Sequence, residues 1–491
     1  MEKKQYLTDG EIVFLPVSEE YLTDESGGMG WAERICFPTN AGEACLALER
    51  ARQAGLPVTV QGSRTGICGG ALPQGGLVLN LSRMSGLSGE AHPERKELLL
   101  TVQAGVTLSA LRQFLDGFRK DGLSYWFPLN PTEEQATLGG IMACRAEGGR
   151  AAFWGPAETW LVQVEAADFA GKLRRFQGGE LERILGDEGH NWVILSLELR
   201  LPERPAHTGV LLCPFEELSG VSRFLERKDE RTGLRLSMAE WLGVEALDLL
   251  SENAEALAKA GVSGLQRADT LLLEFTAPGE EEALNGLEEL LGLLEECGCD
   301  VDGVLMGDSP KERERLLALR HLLNETAAGK ARMAAGAVGR PPLLLDLAFP
   351  QGIEPFVAQC RRQAAGPWAA WGHGAAGHVH VHLFYENEDE YARQRETAAA
   401  LLEVGRRMGG VPHREFGRGK CRTADGSPVE APCPGEGERV WTSRYVQKRC
   451  RTTIWCPPRS GRPWRAAIRT SPTSGTASAA LTRRPWSWPC G

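Results

Sequence analysis

The chain has no apolar stretch approaching the roughly 18 uncharged residues that a membrane span requires. Its first residues, MEKKQYLTDGEIVF, lack the apolar core of a secretory signal. The default expectation is a cytoplasmic protein without an integral membrane segment, with peripheral contact to a membrane left open. Thirteen cysteines are scattered without a repeated C-x-x-C pair. A chain of this size does not depend on disulfides, so they read as reduced thiols. No internal repeat is visible. Acidic residues are absent from Arg439 onward, where eleven Arg and Lys, five of the thirteen Trp and scattered Pro occur without any apolar period. Folded basic domains do not have this composition, and disordered tails avoid Trp and Cys. An out-of-frame reading of a GC-rich gene produces it. The other 438 residues carry a net charge of −21, which argues against a nucleic-acid partner.

What is present, over 491 residues of which 42% are hydrophobic, suffices for roughly two to three domains. Residues 35–205 alternate strand-like and helix-like runs. The spacing predicts helices over 41–54 and 107–118, the second opened by a Thr N-cap. Strands are expected over 57–60, 77–81, 98–102, 161–166 and 192–201. Pro202 to Pro205 reads as a boundary. Beyond it come long Leu/Glu/Ala helices, 280–297 and 309–327, interleaved with strands 270–275 and 343–349. After Lys420 both periodicity and apolar content collapse. The expected organisation is an N-terminal segment (1–30), a first domain (31–205), a second α+β domain (206–420) and an atypical basic tail (421–491), disordered or out of frame.

The first chemical signal is PVTVQGSRTGICGGALP, residues 57–73. An apolar strand runs into Gly62, Ser63, Arg64, Thr65 and Gly66, small residues whose backbone N–H groups can form a nest for a pyrophosphate. An ordinary tight loop is the plainer alternative. The cluster is neither G-x-G-x-x-G nor a P-loop, since no G-K-[ST] follows. Three further segments accompany it: VQAGVTLSALRQFL (102–115), FPLNPTEEQATLGGIMACRAEGG (127–149) and GDEGHNWVILSLELRL (186–201). In this order and spacing the chain resembles the FAD-binding domain of the vanillyl-alcohol-oxidase superfamily, in its glycolate oxidase and D-2-hydroxy-acid dehydrogenase branch. The resemblance implies a two-subdomain, PCMH-type FAD-binding domain followed by an α+β cap. It further implies that Gly62, Ser63, Arg64, Thr65 and Gly66 hold the FAD pyrophosphate. Thr137, Gly139, Gly140 and Ala143 match the loop that covers the isoalloxazine, and Val193 matches a strand contact. Neither loop carries the His–Cys pattern of doubly tethered flavoproteins, so FAD is expected to be non-covalent. Trp192 stands where the family has Gly and is expected to crowd the flavin. Arg64 stands where the family has a third Gly, as a phosphate partner or a solvated surface residue.

Five of nine His lie between 373 and 413. His378, His380 and His382 alternate with valines, so a strand places all three on one face. Convergent imidazoles suit a metal; the plainer reading is the polar outer face of an edge strand. The segment WGHGAAGHVHVHLF is similar to the G-H-x-G-D-G-N-x-H motif of D-2-hydroxyglutarate and D-lactate dehydrogenase-like enzymes, and GVPHREFGRG to their later E-H-G motif. That resemblance implies a divalent metal such as Zn or Mn on His373, His380 and Glu415. Ala376, His378 and Phe416 depart from the family's Asp, Asn and proposed catalytic His. His378 is taken as the substitute proton acceptor, with His382 and His413 as alternatives. LLALRHLLNE (316–325) resembles the helix whose Arg holds the substrate carboxylate, placing Arg320 in that role; a solvated helix face is the alternative. Leu344 occupies the position of a family Lys, which disfavours 2-hydroxy-dicarboxylates.

These readings converge on FAD-dependent oxidation of a small 2-hydroxy acid. The electron acceptor is left open among oxygen, a quinone and an electron-transfer flavoprotein. A flavin-binding but decayed homologue and a flavin-free metalloprotein are the rival readings.

Overall fold

The computed structural model describes residues 12–228 and 234–412, which lie in one compact unit. Glu415, Phe416, His413 and the whole basic tail fall outside the described residues. Among the described residues no helix is long and apolar enough to cross a membrane.

The architecture is α+β. A three-stranded parallel sheet is ordered Arg34–Cys36, Leu77–Asn80, Val58–Gln61. Beside it an antiparallel five-stranded sheet centres on Val193–Pro202, flanked by Glu97–Gln103 and Leu161–Ala167. The first helix, Ala41–Gln53, begins at Asn40, whose side chain accepts from the Glu43 N–H. The second, Leu108–Gly117, has the expected cap: Thr107 accepts from the Ala110 N–H at 3.2 Å. Leu48, Leu77, Leu98, Leu111, Leu138 and Leu199 join one core that fuses both sheets.

The second half is built on an eight-stranded sheet among the described residues. Strands His207–Phe215, Arg235–Leu242, Asp269–Ala277, Leu343–Ala348, Trp368–Gly372 and His378–Leu383 are its longer members. One face carries Trp241, Leu271, Leu273, Phe275, Leu345 and Val381 against the helices Leu218–Arg227, Glu280–Glu296, Glu354–Gln363 and Glu388–Arg407. The opposite face packs Val210, Leu212, Leu242, Leu272 and Trp371 against Val244–Ser251 and Pro310–Val338. With both faces covered, strands such as Asp269–Ala277 and Leu343–Ala348 read as near-continuous apolar runs rather than alternations, and three of the longer strands (207–215, 235–242 and 368–372) escaped the sequence reading. The long helix starts at Ser309 with a capping box to Glu312 and runs to Val338, eleven residues past expectation. Its Ala-rich second half sustains it until Gly339 adopts φ 72°.

Candidate active site

The glycine loop after Val58–Gln61 is held from two sides. Asn80 Nδ2 donates to the Gly62 carbonyl at 3.3 Å, and Gln61 Nε2 to the carbonyls of Tyr21 and Ala71 at 2.9 and 2.8 Å. Within the loop Arg64 takes φ 64°, a left-handed conformation rare for residues other than glycine. No described acceptor receives the backbone N–H of Ser63, Arg64, Thr65 or Gly66. A Cβ added to Gly66 meets nothing within 4 Å. Four successive open donors suit a pyrophosphate, so this loop fits FAD. A Cβ on Gly62 would lie 2.2 Å from Thr137 Oγ1, which shows how closely the second loop approaches the first. Thr137 caps the helix Leu138–Cys144 through the Gly140 N–H, and Gly139 packs so tightly that a Cβ there would be 2.7 Å from that of Ala104. Ala143 is half-buried and Val193 buried within the same core.

Two departures from the family pattern find local partners. The Arg64 guanidinium lies 4.4 Å from the Tyr21 ring centroid, so it stacks on that ring while staying partly exposed. Trp192 meets Phe176 edge-on, centroids 4.8 Å apart, with Arg174 at 5.8 Å. Trp192 thus packs against the strand Leu173–Gln177.

The histidines do not lie on an edge strand. His378–Leu383 pairs on both sides, with Leu343–Ala348 and with Trp368–Gly372, and His380 and His382 are buried. That overturns the polar-outer-face alternative. Register places Asp346 and Trp371 directly across from His380, and Leu344 across from His382. All three His share one face, and the ring of His373, at the end of the neighbouring strand, is 5.3 Å from that of His380 and 5.7 Å from that of His378. Each inner imidazole is backed by a carboxylate: His373 Nδ1 is 2.7 Å from Glu240 Oε2, and His380 Nδ1 is 3.1 Å from Asp346 Oδ1. A carboxylate facing Nδ1 favours the tautomer with the proton on Nδ1 and orients the ring. Among the described residues, no group of three His, Cys, Asp or Glu is arranged to hold a metal. Glu415, the third expected ligand, lies outside them.

Arg320 is not on a solvated face. Its side chain is 11% exposed, and Nη2 lies 3.0 Å from the Asn130 carbonyl and 2.8 Å from Glu240 Oε1. Its Nη1 and Nε hydrogens have no acceptor among the described residues. A second arginine, Arg150, pairs bidentately with a carboxylate: Nε and Nη2 each reach Glu274 at 2.6 Å. Burial would raise the Glu274 carboxyl, but Arg150 and a Ser237 hydrogen bond outweigh it and hold the group below the ordinary carboxylate value. The folded value lies below the unfolded one, so this pair stabilises the fold above about pH 4.3 and is lost as pH falls through the depressed value. Glu274→Gln should cost about 3–5 kcal/mol at neutral pH. It should also flatten the acid limb of stability, measured by denaturant unfolding from pH 7 to pH 3.

Glu240, Asp346, Glu274 and Arg150 were missed as site residues. A signal existed: each of the three carboxylates is a lone acid in an apolar strand (SMAEWL, LLLEFT, LLLDLA), where an ionisable group survives only with a partner. Leu344, at the family Lys position, is buried with Cys68 and Ile67 of the glycine loop.

A glycine loop with open N–H groups and an enclosed Arg–Glu–His cluster are both compatible with an FAD-linked oxidoreductase. Family models match in tandem: the FAD binding domain over residues 32–177 and the C-terminal domain of FAD linked oxidases over residues 204–425. The chain belongs to this FAD-linked oxidase and dehydrogenase family. It is 26% identical to D-lactate dehydrogenase of Archaeoglobus fulgidus, over 84% of this chain and 90% of that one. It is 23% identical to glycolate oxidase subunit GlcD of Bacillus subtilis, over 79% and 81%. The fold is shared with p-cresol methylhydroxylase, TM-score 0.60 at 12% identity, covering 80% of this chain and 84% of that one.

Proposed function

We propose that the chain oxidises a small 2-hydroxy acid, of the glycolate or D-lactate type, to its 2-keto acid with non-covalently held FAD. The observation that carries this reading is Arg320, buried and anchored at Nη2 alone, beside carboxylate-backed His373 and His380. The relatives named above act on acids of this kind by their names. Residues 31–205 are taken as the FAD domain and 206–420 as the substrate cap, in keeping with the two family matches.

In this reading Ser63, Arg64, Thr65 and Gly66 present their N–H groups to the pyrophosphate across from Gly62, and Thr137, Gly139, Gly140, Ala143 and Val193 line the rest of the cofactor site. When bound, FAD supplies the acceptor for the hydride from the substrate Cα. Arg320 offers Nη1 and Nε to the substrate carboxylate, a charge-assisted pairing that fixes its orientation. His378, on the same strand face as His380, takes the hydroxyl proton. His373 and His380, with Glu415, would hold a divalent cation such as Zn or Mn, which would lower the pKa of the substrate hydroxyl. Leu344 against the glycine loop leaves an apolar wall where a second carboxylate would need a cation, which favours monocarboxylates.

The visible spectrum of the purified chain, followed by turnover of D-2-hydroxy acids with an artificial acceptor, tests the reading. A flavin spectrum, FAD released intact on denaturation, and turnover of a monocarboxylate are expected. A folded, colourless protein that refuses added FAD would sink it. Chelation should lower turnover by about tenfold or more while leaving the flavin spectrum in place. Unchanged turnover after verified metal removal would eliminate the metal. The same assay, run with oxygen, a quinone or an electron-transfer flavoprotein, identifies the acceptor.

A further inference from the structure

We infer that Glu240 is a positioning residue that sets the distance between the substrate's two recognition points. This rests on the functional reading above and adds a residue to it. One buried carboxylate meets both groups: Oε1 is 2.8 Å from Arg320 Nη2, and Oε2 is 2.7 Å from His373 Nδ1. Arg320 belongs to the long helix Pro310–Val338, Glu240 to the strand Arg235–Leu242, and His373 follows the strand Trp368–Gly372. The two strands pair antiparallel with Trp241 opposite Gly372, which sets Glu240 beside His373, while the helix packs across the sheet, so the carboxylate links the group that receives the substrate carboxylate to the imidazole near the reacting hydroxyl.

The second flavin loop also reaches this carboxylate. A Cβ on Gly149 would lie 2.5 Å from Glu240 Oε1, and the Asn130 carbonyl shares Arg320 Nη2 with Glu240. Asn130 in turn accepts the Arg150 N–H at 2.9 Å through Oδ1. Glu240 is thus seated where the flavin loop, the anchor helix and the histidine face meet. A two-point carboxylate here restricts Arg320 to presenting its remaining N–H groups in one direction, and fixes the His373 tautomer and ring plane.

Charge gives this role a kinetic signature. Glu240 partly neutralises Arg320, so its negative charge opposes the binding of a substrate carboxylate while its geometry orders the site. Glu240→Gln keeps the shape but removes the charge and one of the two acceptors. It should lower kcat by about 30-fold, in the range expected for losing a charge-assisted hydrogen bond. The affinity for oxalate, read from perturbation of the flavin spectrum, should stay the same or tighten, and FAD stoichiometry should be unchanged. Gly149→Ala is the companion variant. It leaves Glu240 charged but displaces its carboxylate, and should lower kcat in the same direction.

Parent turnover is measured first. A parent that oxidises no 2-hydroxy acid refutes the functional reading and the assignment resting on it. A parent that turns over, with Glu240→Gln and Gly149→Ala both within twofold of it in kcat, refutes the assignment alone. Loss of oxalate affinity or of FAD in step with kcat also refutes it, because that pattern marks general damage rather than positioning.

Discussion

His380→Ala is expected to reduce turnover by about 10³-fold while FAD stays bound, the scale of losing a positioned acid–base or metal-ligating group. The imidazole sits on a central strand, 2% exposed, with its Nδ1 on Asp346. Removing it takes the Nδ1 contact from that buried carboxylate, at a cost of about 1–3 kcal/mol, which is tolerable for a domain of this size. Flavin content should not change, because the glycine loop and its Thr137 neighbour are built from other elements. Asp346→Asn should have a smaller effect, about 10- to 100-fold, since the ring remains but its orientation and basicity are weakened. The comparison is made by steady-state kinetics on flavin-normalised protein. Equal activity of His380→Ala and the parent would remove the histidine face from the chemistry.

Gly62→Val should weaken FAD binding by at least ~100-fold, about 2.7 kcal/mol. Even a single Cβ would lie 2.2 Å from Thr137 Oγ1 and 3.1 Å from its methyl. Thr137 cannot yield without giving up the cap it makes on the Gly140 N–H. The two loops would have to separate, and the open N–H groups of residues 63–66 would lose their register to the second loop. The measurement is FAD retained after gel filtration and the affinity recovered on titration. Full retention of flavin by Gly62→Val would mean that the cofactor does not lie against this loop junction.

Local signals made much of the molecule legible. Thr107 opens its helix as its side chain predicts, and the strand Val58–Gln61 ends where the glycine cluster begins. The alternation of His378, His380 and His382 correctly placed them on one face, because the side-chain period of a strand is fixed by backbone geometry. Less legible was everything in strands buried on both sides. There the apolar run is continuous and carries no face information. The strand Arg235–Leu242 (RLSMAEWL), which holds Glu240, went unrecognised because it carries neither a period-2 alternation nor an unbroken apolar run.

From sequence alone the chain determined its family, its glycine loop and the residue types available for chemistry, since those depend on short-range order and spacing. Tertiary structure decided which of them work together. Asp346 and His380 are 34 residues apart, and Glu240 and His373 are 133 apart. Their pairing depends on the antiparallel register of the large sheet and on the packing of the Arg320 helix across it. That structure turned Arg320 from a residue on a possible surface into a buried cation beside His373. The physical reason is cooperative burial: an ionisable group enters an apolar sheet only with its partner already in place. No local segment contains both.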